Sequence, residues 1–111
     1  MKKIIVEKRM GCVAFAATIM GDKWNPLIIR ILCNGSSRFS LLQGEMGINP
    51  RTLSARLDFL EHHRIIERTL HSEVPPRVEY SLTPKGQDLI PILKSMARWG
   101  DKYQCPTESV D

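Results

Sequence analysis

Arg51, Thr52, Ser54 and Ala55 stand within five residues and combine cationic, hydroxyl and small side chains. Read as a helix, Arg51 and Ala55 share one side with Asp58 and His62, with Thr52 and Phe59 on a flank. A guanidinium in the first turn can take a guanine edge. A threonine hydroxyl can take a base or phosphate, and an alanine methyl can lie flat against a thymine methyl. Ser54 and Arg56 sit nearer the edges, in reach of phosphates, which set register rather than sequence preference. The chemistry these types and spacings suit is recognition of duplex DNA.

The elements that must position them are legible on either side. Asn49 is a good N-cap and Pro50 fits the first helical position, where a missing N–H costs nothing. Leu53, Leu57 and Leu60 recur at i, i+4 and i+7, so the opposite stripe faces a core. Ser40 is expected to cap a preceding helix, Leu41 to Met46, and Gly47 to supply the turn between the two. Arg38, Ser40 and Asn49 complete the set expected to face the duplex. The recognition helix ends near His62-His63-Arg64. A strand over 65–71 and a return over 77–82 follow, with Val78, Tyr80 and Leu82 alternating against Arg77, Glu79 and Ser81. Pro75 and Pro76 stop pairing at the tip and are expected to leave Arg77 projecting, where it suits a minor-groove or phosphate contact. Ser36 to Phe39 allows a very short strand paired with this ribbon. The order is a helix-turn-helix with a wing, mainly α with a small β-ribbon (α+β).

Three domain spans are expected: a loose cationic arm over 1–11 with an extended piece at Ile4-Ile5-Val6, the domain itself over 12–103, and a disordered tail over 104–111. A first helix runs to Met20, apolar on two sides through Val13, Ala16, Ala17 and Met20, and through Phe15 and Ile19. Asp22 is a plausible N-cap for a helix over 23–33, whose Trp24, Leu27, Ile28, Ile31 and Leu32 read as core, and Asn34-Gly35 ends it as a left-handed cap. Thr83-Pro84 starts a last helix, kinked at Pro91, that is apolar on a broader face than a small domain needs. That width argues for a dimer interface built from the first and last helices, with Val13, Phe15, Ala16, Ile19, Leu89, Leu93, Met96 and Trp99 as its candidates.

Composition sets the bounds. The chain has 111 residues, 42% hydrophobic and 25% charged, enough for one core, and association with a second copy would add to its stability. Its formal charge of +4 and pI near 9.2 are compatible with a nucleic-acid partner. No apolar run approaches the ~20 residues that span a bilayer, and charges at Glu7, Lys8 and Arg9 interrupt any leader-like run, so a cytoplasmic protein without membrane contact is expected. Cys12, Cys33 and Cys105 form neither a disulfide framework nor CxxC zinc spacing. Neighbouring His62 and His63 point about 100° apart on a helix, poor geometry for chelation. No cofactor and no metal are expected. No nucleophile-base order, phosphate loop or carboxylate pair stands out, which excludes the common enzyme classes.

The chain resembles the HxlR-type branch of the MarR-like winged-helix transcriptional regulators. The residues that carry the likeness are Cys12, the GDKW of Gly21 to Trp24, Arg38-Phe39, Arg56-Leu57, Leu60-Glu61, Glu67-Arg68-Thr69 and EVPPRVEYSLTPKG from Glu73 to Gly86. The resemblance implies a sequence-specific DNA-binding repressor or activator, dimeric through its first and last helices. It also implies that a cysteine at the position of Cys12 can sense oxidants or electrophiles. Two positions depart from the family pattern. Val13 stands where proline usually follows that cysteine. Arg64 stands where glycine usually makes the turn after the recognition helix. A left-handed turn there would strain Arg64 by about 1 kcal/mol, which favours a different turn. Cys12 therefore has two readings, a sensor near a helix N-terminus that stabilises negative charge and a small buried apolar thiol. Cys33, on a core helix, is expected to be inert, and Cys105 is an open partner for Cys12. The leading reading is a homodimer on a pseudo-palindrome; a metal-responsive regulator and a winged helix that binds only protein are the alternatives.

Overall fold

The computed structural model describes residues 11–104. Its helices are α1 (Val13–Met20), α2 (Asn25–Leu32), α3 (Phe39–Met46), α4 (Pro50–His62), α5 (Pro84–Gln87) and α6 (Ile90–Tyr103), with strands β1 (Ile66–His71) and β2 (Arg77–Leu82) between α4 and α5. The Ile4–Val6 piece, Cys105 and nearly all of the expected arm and tail lie outside the described residues.

Sequence explains most boundaries. Gly47 closes α3 at φ 62°, the left-handed conformation that glycine takes at low cost, and its N–H returns to Gln43. Asn49 caps α4 through Oδ1, which accepts from the backbone N–H of Arg51 at 2.8 Å and of Thr52 at 3.4 Å. The Leu53, Leu57 and Leu60 stripe is fully buried, against Ile28, Ile29 and Leu32 of α2, Leu42 of α3 and Ile66 of β1. The ribbon is antiparallel in the register Ile66↔Leu82 to His71↔Arg77. Ser37 and Tyr80 exchange two backbone hydrogen bonds of 2.9 and 2.8 Å, the short pairing expected ahead of α3.

Several expectations are corrected. Ser40 lies inside α3 and caps nothing; the N-cap is Arg38, without a side-chain bond. Leu27 is exposed, and Ile29 takes the core place assigned to it: the buried side of α2, which begins at Asn25, runs through Asn25, Ile28, Ile29 and Leu32. Asp22 does serve the start of α2: its Oδ2 accepts from the N–H groups of Trp24 and Asn25 at 2.8 and 3.0 Å. Asn25 is wholly buried and donates from Nδ2 to the Ile19 carbonyl at 2.9 Å, tying α1 to α2. Ile19 belongs to this core and is not free for an interface. The last helix is two helices. Proline cannot continue the backbone ladder, so Pro91 sits in the first turn of α6 rather than at a kink.

The turn after α4 is left-handed after all. Arg64 has φ 60°. Its N–H bonds the Glu61 carbonyl and the Ile65 N–H bonds the Leu60 carbonyl, both at 2.9 Å, which is the Schellman closure of a helix. Strain at Arg64 is accepted because everything around it is tied down. Thr83 Oγ1 donates to the Arg64 carbonyl at 2.6 Å, Thr83 N–H to that of Ile65 at 3.0 Å, and Lys85 Nζ to that of His63 at 2.9 Å. Gly86 packs so closely that a Cβ there would overlap the Ile65 carbonyl.

Arg64→Gly should raise stability by about 0.5–1 kcal/mol, since glycine takes the left-handed turn without strain. Gly86→Ala should lower it by at least about 1–2 kcal/mol through the forced overlap. Urea denaturation of both variants checks this; a destabilised Arg64→Gly would mean that the Arg64 side chain contributes contacts worth more than the strain.

Candidate nucleic-acid interface

α4 turns its leucine stripe inward, and this leaves Arg51, Ser54, Ala55, Asp58 and His62 exposed along one side. Its N-terminal end forms an open concavity lined by Asn49, Pro50, Arg51 and Ser54. The Asn49 side chain is committed to the cap, so its part there is to fix the first turn. Thr52 is half-buried on the flank. Among the described residues the Arg51 guanidinium has no ion-pair partner. Arg38 and Ser40, at the start of α3, are exposed.

Arg56 is occupied elsewhere. Its Nη1 lies 3.6 Å from Asp22 Oδ1 and its guanidinium stacks 4.9 Å from the Phe59 ring centroid. The carboxylate that caps α2 therefore also braces α4. Sequence spacing could not show this, because Asp22 and Arg56 are brought together only by the packing of α2 on α4.

Arg77 does not project. Its Nη2 pairs with Glu73 Oε2 at 3.0 Å and its Nε faces Glu79 Oε2 at 3.6 Å. Glu79 also accepts from Ser36 Oγ at 3.2 Å and lies 3.1 Å from His71 Nε2. Partial burial pushes the Glu79 carboxyl up, but the Ser36 hydroxyl, the Arg77 charge and the His71 ring together hold it below its ordinary value. A carboxylate depressed in this way stabilises the fold above the ordinary carboxylate range, and the contribution fades as pH falls through the lowered value. The wing tip is thus a latched cluster with Val74, Pro75 and Pro76 outermost.

Val13, Phe15 and Ala16 of α1 and Met96 and Trp99 of α6 are exposed, Trp99 at 67%. Leu89 and Leu93 are half-buried and packed against the core. Ile92 and Tyr103, exposed beside Met96 and Trp99, were missed; their spacing from Trp99 on one helix was the available signal. Cys12 is exposed at the start of α1, which removes the buried-thiol reading for the single chain, and Cys33 is half-buried. His63 is engaged in aromatic contacts, 4.6 Å from Phe59 and 6.1 Å from Phe15 between ring centroids. No helix among the described residues is long and apolar enough to cross a membrane.

Comparison with known proteins agrees with this geometry. A sequence model of the family described as HxlR-like helix-turn-helix matches residues 19–108. The chain is 41% identical over 92 residues to an HTH-type transcriptional regulator of Methanothermobacter thermautotrophicus, across 82% of this chain and 70% of that protein. It is 35% identical over 96 residues to the HTH-type transcriptional regulator YodB of Bacillus subtilis, across 86% of each. Among solved structures, the redox regulator HypR in its oxidised form matches with a TM-score of 0.80 at 34% identity, over 84% of this chain and 97% of that one. The reduced form of YodB matches with a TM-score of 0.75 at 35% identity, over 84% of this chain and 92% of that one. With its matched span running from the end of α1 through the wing and past α6, the chain belongs to the HxlR-like helix-turn-helix family of transcriptional regulators.

Proposed function

We propose that two copies of this chain join through α1 and α6 and read a pseudo-palindromic duplex with their α4 helices in successive major grooves, about 34–36 Å apart. The observation that carries the reading is the open N-terminal side of α4: Arg51, Ser54 and Ala55 are exposed while the opposite leucine stripe is buried. Arg51 reads a base edge, and Thr52, Ser54, Arg38 and Ser40 face base or backbone around it. Asn49 and Arg56 act by holding the helix. The dimer is supported by apolar side chains on α1 and α6 that the single chain leaves exposed, including Val13, Phe15, Met96 and Trp99. Cys12, exposed on α1, is the candidate sensor of an oxidant or electrophile, a role supported by similarity to the redox regulator HypR. A modified Cys12 would act by turning α1 within the dimer, which changes the spacing of the two α4 helices.

Arg51→Ala should weaken binding to a selected duplex by about 1–3 kcal/mol and relax preference at one base position. An equal loss on every sequence would make Arg51 a phosphate clamp. Arg77→Ala should change the slope of log K against log salt by well under one unit, because Glu73 and Glu79 already neutralise Arg77; a change of about one would mean that the latch opens onto phosphate. In sedimentation velocity the full chain should run as a dimer, and Trp99→Asp should shift it toward monomer by placing a charge in the apolar contact. A monomeric parent chain overturns the dimer.

A further inference from the structure

The outer side of α4 carries one acid that the fold does not use. Asp58 is exposed, and among the described residues its carboxylate has no ion-pair partner and no side-chain hydrogen bond. Asp22 and Glu79, by contrast, are each tied to an arginine and to hydrogen-bond donors. Aspartate is a poorer helix former than alanine or lysine. In the C-terminal half of α4 it gains nothing from the helix dipole either. Nothing in the packing accounts for a carboxylate at this place.

Its position is informative. Arg51, Ser54, Ala55 and Asp58 stand at i, i+3, i+4 and i+7 and share one exposed side. That is a spacing at which a helix laid in a major groove brings side chains to base edges. A carboxylate entering the groove is repelled by the phosphates on both sides, so it needs a donor there. The base edges offer two, the N4 amino group of cytosine and the N6 amino group of adenine. Guanine N7 and O6 and thymine O4 are acceptors. The adenine amino group lies between two acceptors, its own N7 and thymine O4. The cytosine amino group has an acceptor, guanine O6, on one side only. We infer that Asp58 is a specificity-determining residue that reads cytosine, a carboxylate oxygen accepting from the N4 amino group. The inference rests on the proposed DNA reading and adds one base pair to it. A rise of about 1.5 Å per residue puts Asp58 about 10 Å beyond Arg51 along the helix axis. That is about three base-pair steps, so the two residues address different pairs.

The test starts from the duplex that the reduced full chain selects from a random pool. Affinities of the parent chain, Asp58→Ala and Asp58→Asn are measured on that duplex and on its single-pair replacements. A further duplex carries 2-pyrimidinone, which lacks the amino group, in place of the selected cytosine. The parent should prefer cytosine at one position of each half-site, about three base pairs from the position that Arg51→Ala relaxes. Removing the amino group should weaken the parent by about tenfold. Asp58→Ala should accept any base at that position, bind the 2-pyrimidinone duplex as well as the selected one, and keep the preference that Arg51 sets. Asp58→Asn should move the preference to adenine, because an amide matches N6 and N7 together. The same preferences in the parent and Asp58→Ala, a loss equal on all sequences, or indifference of the parent to the missing amino group would each overturn the assignment and leave the DNA reading in place. Selection of no duplex at all would overturn that reading, and the assignment with it.

Discussion

Three carbonyl groups in a row, those of His63, Arg64 and Ile65, hold this protein together as a reader of DNA. They lie at the C-terminal end of α4, where a helix leaves its carbonyls without intrahelical partners. Here Lys85, the Thr83 hydroxyl and the Thr83 N–H supply donors from the far end of the wing. Gly86 lets the α5 backbone come close enough for this to happen. Recognition helix, wing and the helices that follow are therefore registered on one point. The same point explains why Arg64 tolerates a left-handed φ of 60° that glycine would take without strain: loosening the turn would give up the hydrogen bonds that Lys85 and Thr83 donate to the His63, Arg64 and Ile65 carbonyls, at a cost comparable to the strain.

A second consequence concerns where positive charge is available. The protein carries a formal +4, yet two arginines that spacing alone assigns to the duplex are engaged within the fold. Arg56 serves the Asp22 cap, and Arg77 serves the latch that joins the wing to the Ser36 turn through Glu79. That leaves Arg51, at the N-terminal end of the α4 face, and Arg38, ahead of α3, as arginines without an ion-pair partner among the described residues. On the proposed reading, sequence preference would rest on few side chains rather than on a broad basic surface.

The helix-turn-helix and the wing were legible in sequence because each rests on local chemistry: the Asn49-Pro50 cap, Gly47, the leucine period and the alternation before Thr83. What was not legible depends on contacts between distant segments. Arg77 looks free in sequence and is paired in space. Ile19 looks like part of an apolar surface stripe and is core, because Asn25 draws the end of α1 onto α2. Arg64 argued for a different turn, and only the donors from Thr83 and Lys85, some twenty residues on, explain why the turn is kept. The two faces of α6 show the same limit: the breadth of its apolar surface was visible, but its division into a face toward α2 and a face left exposed was not.

The measurement that tests the account most directly is recovery of bound duplexes from a random pool by the reduced full-length chain. An inverted repeat is expected, its half-site centres separated by about one helical turn, ~34–36 Å, as two α4 helices held by α1 and α6 require. Enrichment of a lone half-site, or of no sequence at all, would contradict it.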